Sequence, residues 1–399
     1  MPSVRVLSLD QVATILSGLD SEELLTSQAK AFQAYSANET QTPHRSTLQT
    51  PAHATLIMPS RIDSQTSVIK VVSVPKTDSK NGLPGVTLVM DNSTGEPRGL
   101  VNARLLTALR TAAGSALATR AVFTTKSGRD HRPLTLAVFG SGAQAKAHIQ
   151  LLVHTVPQIA KVVICNRTLP RAQELIKELQ SQYDGIDLCA FSTGTGETTG
   201  PQLNTPSAAS DPKQQLQSIV QAADIICTCT NTREPLFRGE WVKPGAHINM
   251  VGSFTPEMHE VDQVLIQRAY TLVDARKECE EEAGELILAI KESGYDGIIA
   301  ELGQLYDQKG SLQPDHLPSQ LGALASFVSN ASSTSSYVEN GQEPMVTNKA
   351  AKSGSAATMV SHRDVTIFKS VGIAAQDVAI TALVLDKAEV ANVGSVVDI

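Results

Sequence analysis

Residues 134–148 read L-T-L-A-V-F-G-S-G-A-Q-A-K-A-H, an apolar run broken by glycines and followed at once by helix-forming residues. Leu134–Phe139 has the composition of a buried parallel strand, and Gly140, Gly142 and Ala145 hold the G-x-G-x-x-A spacing. Each position has a physical reason. The first glycine allows a tight turn, the second lets backbone approach a pyrophosphate, and a small third residue lets helix and strand pack closely. The helix that follows offers unpaired N–H groups and a partial positive charge to phosphate oxygens. A strand–glycine–helix unit of this kind predicts dinucleotide binding at Gly140 and Gly142.

The alternation continues downstream. Short apolar runs at 161–165, 188–191, 224–230, 245–251 and 271–274 predict strands, with helices at 171–179, 215–222 and 261–268. This rhythm predicts an α/β chain with a Rossmann-type doubly wound parallel sheet. Upstream, 67–74 and 85–90 read as strands, 91–96 as a turn and 101–121 as a long Ala- and Leu-rich helix. A last apolar helix is predicted at 371–387, returning to the N-terminal part.

A chain of 399 residues exceeds one ordinary core, so two domains are expected. Residues 1–122 with 358–399 are assigned to an α+β substrate-binding and dimerisation domain, and 123–331 to an NAD(P)-binding Rossmann domain. Residues 192–213 and 332–356 are rich in Ser, Thr, Gly, Pro and Asn, too polar to repay their ordering entropy, and read as surface loops. The second of these, taken as 332–357, is expected to be a flexible insertion.

Acidic residues outnumber Lys and Arg by 40 to 33, which argues against nucleic acid or a membrane surface as partner. Five cysteines, an odd number lying mostly in apolar runs, read as reduced thiols; Cys227 and Cys229 lack the companions that a zinc site needs, and no metal is expected. No apolar leader or membrane-length segment is evident, so a cytoplasmic protein is expected.

The second strand ends Cys165-Asn166-Arg167-Thr168, with no acid where NAD enzymes place one against the ribose hydroxyls. Asn166, Arg167 and Thr168 offer donors instead, and a guanidinium clamps a 2′-phosphate. NADP(H) is therefore the expected cofactor, with NAD(H) the alternative. In the N-terminal part, Lys70 lies mid-strand among apolar residues, Arg110 in an Ala/Leu helix and Arg45 in a loop after T-P-H. Each alone reads better as salt-bridged or solvent-facing. Together they could clamp a carboxylate.

Several segments resemble the ornithine cyclodeaminase/mu-crystallin family. These are R-T-A-A-G-S-A-L-A-T at 110–119, G-S-G-A-Q-A at 140–145, N-R-T at 166–168 and A-D-I-I-C-T-C-T at 223–230, followed by G-A-H-I-N-M-V-G at 245–252, E-A-G-E at 282–285 and F-K-S-V-G-I-A-A-Q-D at 368–377. The resemblance implies a homodimer of NAD(P)-binding subunits. Arg45, Lys70 and Arg110 then fall where the substrate carboxylate is held, with Lys70 and Arg110 as the catalytic pair. Ala143, Gln144, Thr230 and Val251 join the cofactor set, and Ser370, Val371 and Gly372 line the nicotinamide.

Departures matter as much. Cyclodeaminases carry a Glu two residues before an M-P pair, where this chain has Leu56, and an Asp where it has Phe254. Those acids handle the two amines of a diamino acid, and neither Leu nor Phe can. With Phe254 as a substrate neighbour, the site suits a small 2-imino acid or cyclic ketimine carboxylate. The expected activity is an NADPH-dependent imine reductase or amino-acid dehydrogenase. The alternatives are cyclodeamination of ornithine to proline and ammonia, and non-catalytic binding of NADPH and a small ligand.

Overall fold

The computed structural model describes residues 3–62, 66–76, 83–126, 132–199, 211–322 and 363–398. The first half runs β1 (Ser3–Leu7), α1 (Leu9–Ser17), α2 (Ser21–Ser36), β2 (Thr40–Gln41), β3 (Ser46–Gln49), β4 (His53–Ile62), β5 (Ser67–Pro75), β6 (Gly85–Met90), β7 (Pro97–Asn102) and α3 (Arg104–Lys126). Ser8 and Asp20 cap the first two helices by accepting from Gln11 and Glu23 N–H groups.

The second half runs β8 (Leu134–Phe139), α4 (Ala143–Thr155), β9 (Ile159–Asn166), α5 (Leu169–Gln180), β10 (Asp187–Ser192), β11 (Thr198–Thr199), α6 (Pro212–Ala222) and β12 (Ile225–Thr228). It continues with β13 (His247–Met250), α7 (Gln263–Gln267), β14 (Ala269–Val273), α8 (Arg276–Glu282), α9 (Gly284–Ser293), β15 (Ile298–Glu301), β16 (Val365–Lys369), α10 (Ala374–Val390) and β17 (Ser395–Asp398).

Two sheets result. The eight-stranded one has the order β17-β1-β7-β6-β5-β4-β2, with β3 also on β4. On β5, Val68, Lys70 and Val72 point inward while Ile69 is 37% exposed, the period-2 pattern of a sheet covered on one face. That inner face belongs to a core shared with α2, α3 and α10, built from residues such as Phe32, Leu117 and Val378. The nine-stranded sheet has the order β11-β10-β9-β8-β12-β13-β16-β14-β15. Only β11 within it is antiparallel. The chain starts at central β8, winds outward through β9 and β10, then returns to β12, so strand order reverses beside the glycine loop. Open α/β sheets bind ligands outside the carboxyl ends of their strands at such a point.

Four expectations need correction. The residues 365–369 form β16 between β13 and β14, so they belong to the second sheet and not to a segment that begins at 358 in the other domain. Every residue of β16 is buried, which only the interior of a sheet provides. The chain crosses to the first sheet after Lys369, and the last helix therefore starts at Ala374 rather than at 371. The helix expected from 101 starts at Arg104, because Val101 and Asn102 pair with Thr87 and Val86 in the β-ladder. The predicted helix 261–268 shrinks to α7, whose Asp262 cap accepts from Leu265 N–H. Residues 332–357, and 200–210 of the other expected loop, lie outside the described residues; 198–199 fold back onto β10 as β11. All five cysteines are free thiols. Among the described residues no helix is long and apolar enough to cross a membrane.

Candidate active site

The glycine loop has the shape its spacing predicts. Gly140 takes φ +113°, and a Cβ there would lie 2.8 Å from the Cys229 carbonyl oxygen, so only glycine fits. Gly142 caps α4, and space beyond its Cα is open. Ala143 and Gln144 open the helix, where N–H groups lack intrahelical partners. The Gln144 Oε1 atom is buried with no hydrogen bond, while Ala145 is fully buried against the strand. An open glycine, an orphaned polar atom and a free helix N-terminus together fit a dinucleotide pyrophosphate.

At the end of β9, the Asn166 amide donates to the Thr168 carbonyl at 2.9 Å, bending the chain so that Arg167 and Thr168 are exposed. Asn166 is thereby engaged in shaping the turn. The loops after β12 and β13 are tied by Glu260, a fully buried carboxylate that the sequence reading did not single out. Its Oε1 accepts from Thr230 N and Oγ1, both at 2.7 Å, and its Oε2 from Thr228 Oγ1 at 2.8 Å and Gly252 N at 2.7 Å. Burial raises its carboxyl pKa. Thr230, expected at the cofactor, thus spends both its donors on Glu260. Val251 donates its N–H to the Thr228 carbonyl, continuing the sheet edge.

Beyond β16 the segment 370–372 is held by Asp274, also fully buried. The Ser370 hydroxyl and the Gly372 N–H both donate to its Oδ2 at 2.7 Å. Gly372 has φ +83°, and a Cβ there would stand 2.4 Å from Nη1 of Arg110. The turn can exist only with glycine. It also brings the guanidinium directly against the backbone.

The three cations from separate elements meet here. Lys70 Nζ lies 2.7 Å from Asp377 Oδ2, and Arg110 Nε 3.6 Å from Asp377 Oδ1. Arg110 Nη1 donates to Gln376 Oε1 at 2.6 Å. Arg45 Nη2 donates to Glu282 Oε2 at 2.7 Å, to the Gly372 carbonyl at 2.9 Å and to that of Val371 at 3.2 Å. Lys70 and Arg110 are 1% and 5% exposed. Burial lowers Lys70 to about 8; Asp377 opposes that shift, and Arg110 and Arg45 add to it. Asp377 and Gln376 lie in the F-x-S-V-G motif region, yet only packing shows that they receive the cations.

Leu56 shares a sheet face with Lys70. It pairs across from Val72, as Met58 does from Lys70, and packs with Met58, Val72 and Ala374 in a small apolar cluster. Phe254 is half-buried against the core cluster that includes Val371.

The fold joins a Rossmann-type parallel sheet to a second, mostly antiparallel sheet, and Lys70, Arg110 and Arg45 gather beside the turn that follows β16. The profile of the ornithine cyclodeaminase/mu-crystallin family matches residues 5–202 and 207–392, and the chain belongs to that family. It is similar to a Delta(1)-pyrroline-2-carboxylate reductase of Bacillus cereus, 29% identical over 385 residues covering 94% of this chain and 95% of that one. The ketimine reductase mu-crystallin of Rattus norvegicus is 32% identical over 239 residues, 59% of this chain and 64% of that one. The structure of Thermococcus litoralis Delta(1)-pyrroline-2-carboxylate reductase, solved with NADH and L-proline, shares the fold. Its TM-score is 0.71 at 23% identity, over 98% of this chain and 99% of that one.

Proposed function

We propose that this chain is an NADPH-dependent reductase of a small cyclic imine carboxylate, of the pyrroline- or piperideine-2-carboxylate kind. The observation that carries the reading is the convergence of Lys70, Arg110 and Arg45 beside Gly372, with Leu56 and Met58 as apolar neighbours. Lys70 and Arg110 share the single carboxylate of Asp377, which leaves guanidinium donors for a substrate carboxylate. No acid stands at position 56 to hold a second amine. The similarity to imine carboxylate reductases supports the same reading.

Gly140, Gly142, Ala143 and Gln144 would hold the pyrophosphate, Arg167 and Thr168 the adenosine end, and Val251, Ser370 and Gly372 the nicotinamide side. When bound, the reduced nicotinamide supplies a hydride to the imine carbon. The chain's own residues do the rest. Arg45 and Arg110 orient the carboxylate, the Asp274-held turn fixes the distance between substrate and cofactor, and Lys70 donates the proton that the imine nitrogen needs.

Purified protein is expected to oxidise NADPH with pyrroline-2-carboxylate, and to release no ammonia from L-ornithine. Proline and ammonia formed from ornithine without net change in NADPH absorbance would establish cyclodeamination instead. In the same assay Arg167→Ala raises KM for NADPH about 10- to 100-fold and leaves that for NADH nearly unchanged, as loss of a phosphate-binding guanidinium requires. Equal effects on both cofactors would remove Arg167 from the 2′-phosphate.

We also propose a homodimer across the outer face of the first sheet. Ile69, Leu88 and Leu100 are cross-strand neighbours there, and Ile69 and Leu100 are 37% and 36% exposed. Light scattering after size exclusion should give twice the chain mass, and Ile69→Lys should halve it. A monomer at micromolar concentration would exclude the interface.

A further inference from the structure

Resting on that functional reading, we infer that Glu282 is a positioning residue: it holds the Arg45 guanidinium in place to receive the substrate carboxylate. Arg45 stands in the loop between β2 and β3, at the edge of the first sheet, and its side chain is long and flexible. Among the described residues, nothing local to that loop fixes it. What fixes it is the opposite sheet's domain, through the Glu282 carboxylate at the end of α8 and the carbonyls of Val371 and Gly372.

All three acceptors take the same nitrogen. Among the described residues, Nη1 and Nε of Arg45 make no hydrogen bond, and neither is a buried unpaired atom. The guanidinium is therefore anchored by one corner with donors left over, which is the arrangement a clamp for an arriving anion requires. Glu282 is itself shaped for this. It is 8% exposed, and burial raises its carboxyl pKa against the opposing pull of Arg45 and His44. His44 Nε2 lies 3.6 Å from its other oxygen, giving the same carboxylate a second tie to the loop. The residue thus joins the substrate loop to the turn that follows β16. One alternative has the opposite sign: Glu282 would occupy Arg45 as a rival carboxylate, and its removal would strengthen binding.

The experiment compares wild type with Glu282→Gln, an isosteric change, and uses pyrrole-2-carboxylate as a non-reducible probe in calorimetry with NADPH present. Probe affinity should fall roughly tenfold, the loss expected when one charge-assisted hydrogen bond no longer orders a binding group. KM for pyrroline-2-carboxylate should rise in parallel, with kcat and KM for NADPH close to wild type. In an Arg45→Met background Glu282→Gln should cause no further loss. Tighter binding by Glu282→Gln, or an equal loss in both backgrounds, overturns the inference. If wild type binds the probe yet reduces no imine, the functional reading falls while the calorimetry still decides the role of Glu282. A wild type that binds no carboxylate overturns both.

Discussion

Lys70→Met should lower kcat for imine reduction by about 10²- to 10⁴-fold, the range associated with loss of a general acid. Lys70 is buried on the inner face of β5, with its ammonium 2.7 Å from Asp377 and Arg110 beside the same carboxylate. Methionine keeps the length and the apolar stem and removes only the charge and the proton. Two roles are separable. Lys70→Arg keeps the positive charge and so restores much of KM, but guanidinium does not release its proton near neutral pH, so kcat stays low. The pH profile gives the sign. With Lys70 at about 8, the ammonium form predominates below that pH and is lost above it. Reduction, which needs the proton, should therefore fall as pH rises through about 8, while oxidation of the product amine should rise over the same interval. The break should vanish in Lys70→Met. A folded Lys70→Met protein with wild-type kcat would remove this residue from proton transfer.

The sequence makes part of this site legible and hides the rest for a physical reason. The glycine loop is legible because its chemistry is local: turn, cradle and helix start all lie within 140–145. Lys70 and Arg110 stand out because a charge within an apolar stretch needs a partner. The partners lie far away in sequence. Asp377 belongs to a helix that returns after some three hundred residues, and Glu260 and Asp274 sit in segments with no periodicity that marks an acid as buried. Their roles come from tertiary packing, which composition does not encode. The first sheet shows the same limit. β5 and β6 are visible as apolar runs, whereas β17 is fully exposed and is made a strand only by antiparallel pairing with β1. The five residues of β16 stand apart from the alternating strands and helices of 134–274, so nothing in the sequence ties them to that sheet, and their placement shows where the chain crosses from one sheet to the other.

Asp377→Ala should destabilise the folded protein by about 3–5 kcal/mol, the cost of stripping a buried charge of its counter-ion. Asp377 is 1% exposed at the first turn of α10 and is the acid shared by Lys70 and Arg110. Without it two buried cations face each other with only Gln376 accepting from one of them. For a chain of this size such a loss lowers Tm by roughly 5 °C. The mechanism makes a sharper claim than the magnitude. If the instability comes from uncompensated positive charge, removing a cation should restore part of it, so Lys70→Met/Asp377→Ala should be more stable than Asp377→Ala alone. A simple cavity would make the two changes additive or worse. Asp377 also raises the proton affinity of Lys70, against the burial that lowers it. Asp377→Asn, which keeps the shape, should therefore move the break in the reduction profile to lower pH. Thermal unfolding of the four proteins in the cycle, with pH profiles of wild type and Asp377→Asn, separates these cases. A double variant no more stable than Asp377→Ala, with an unmoved break, would mean that Asp377 does not set the charge balance of this pocket.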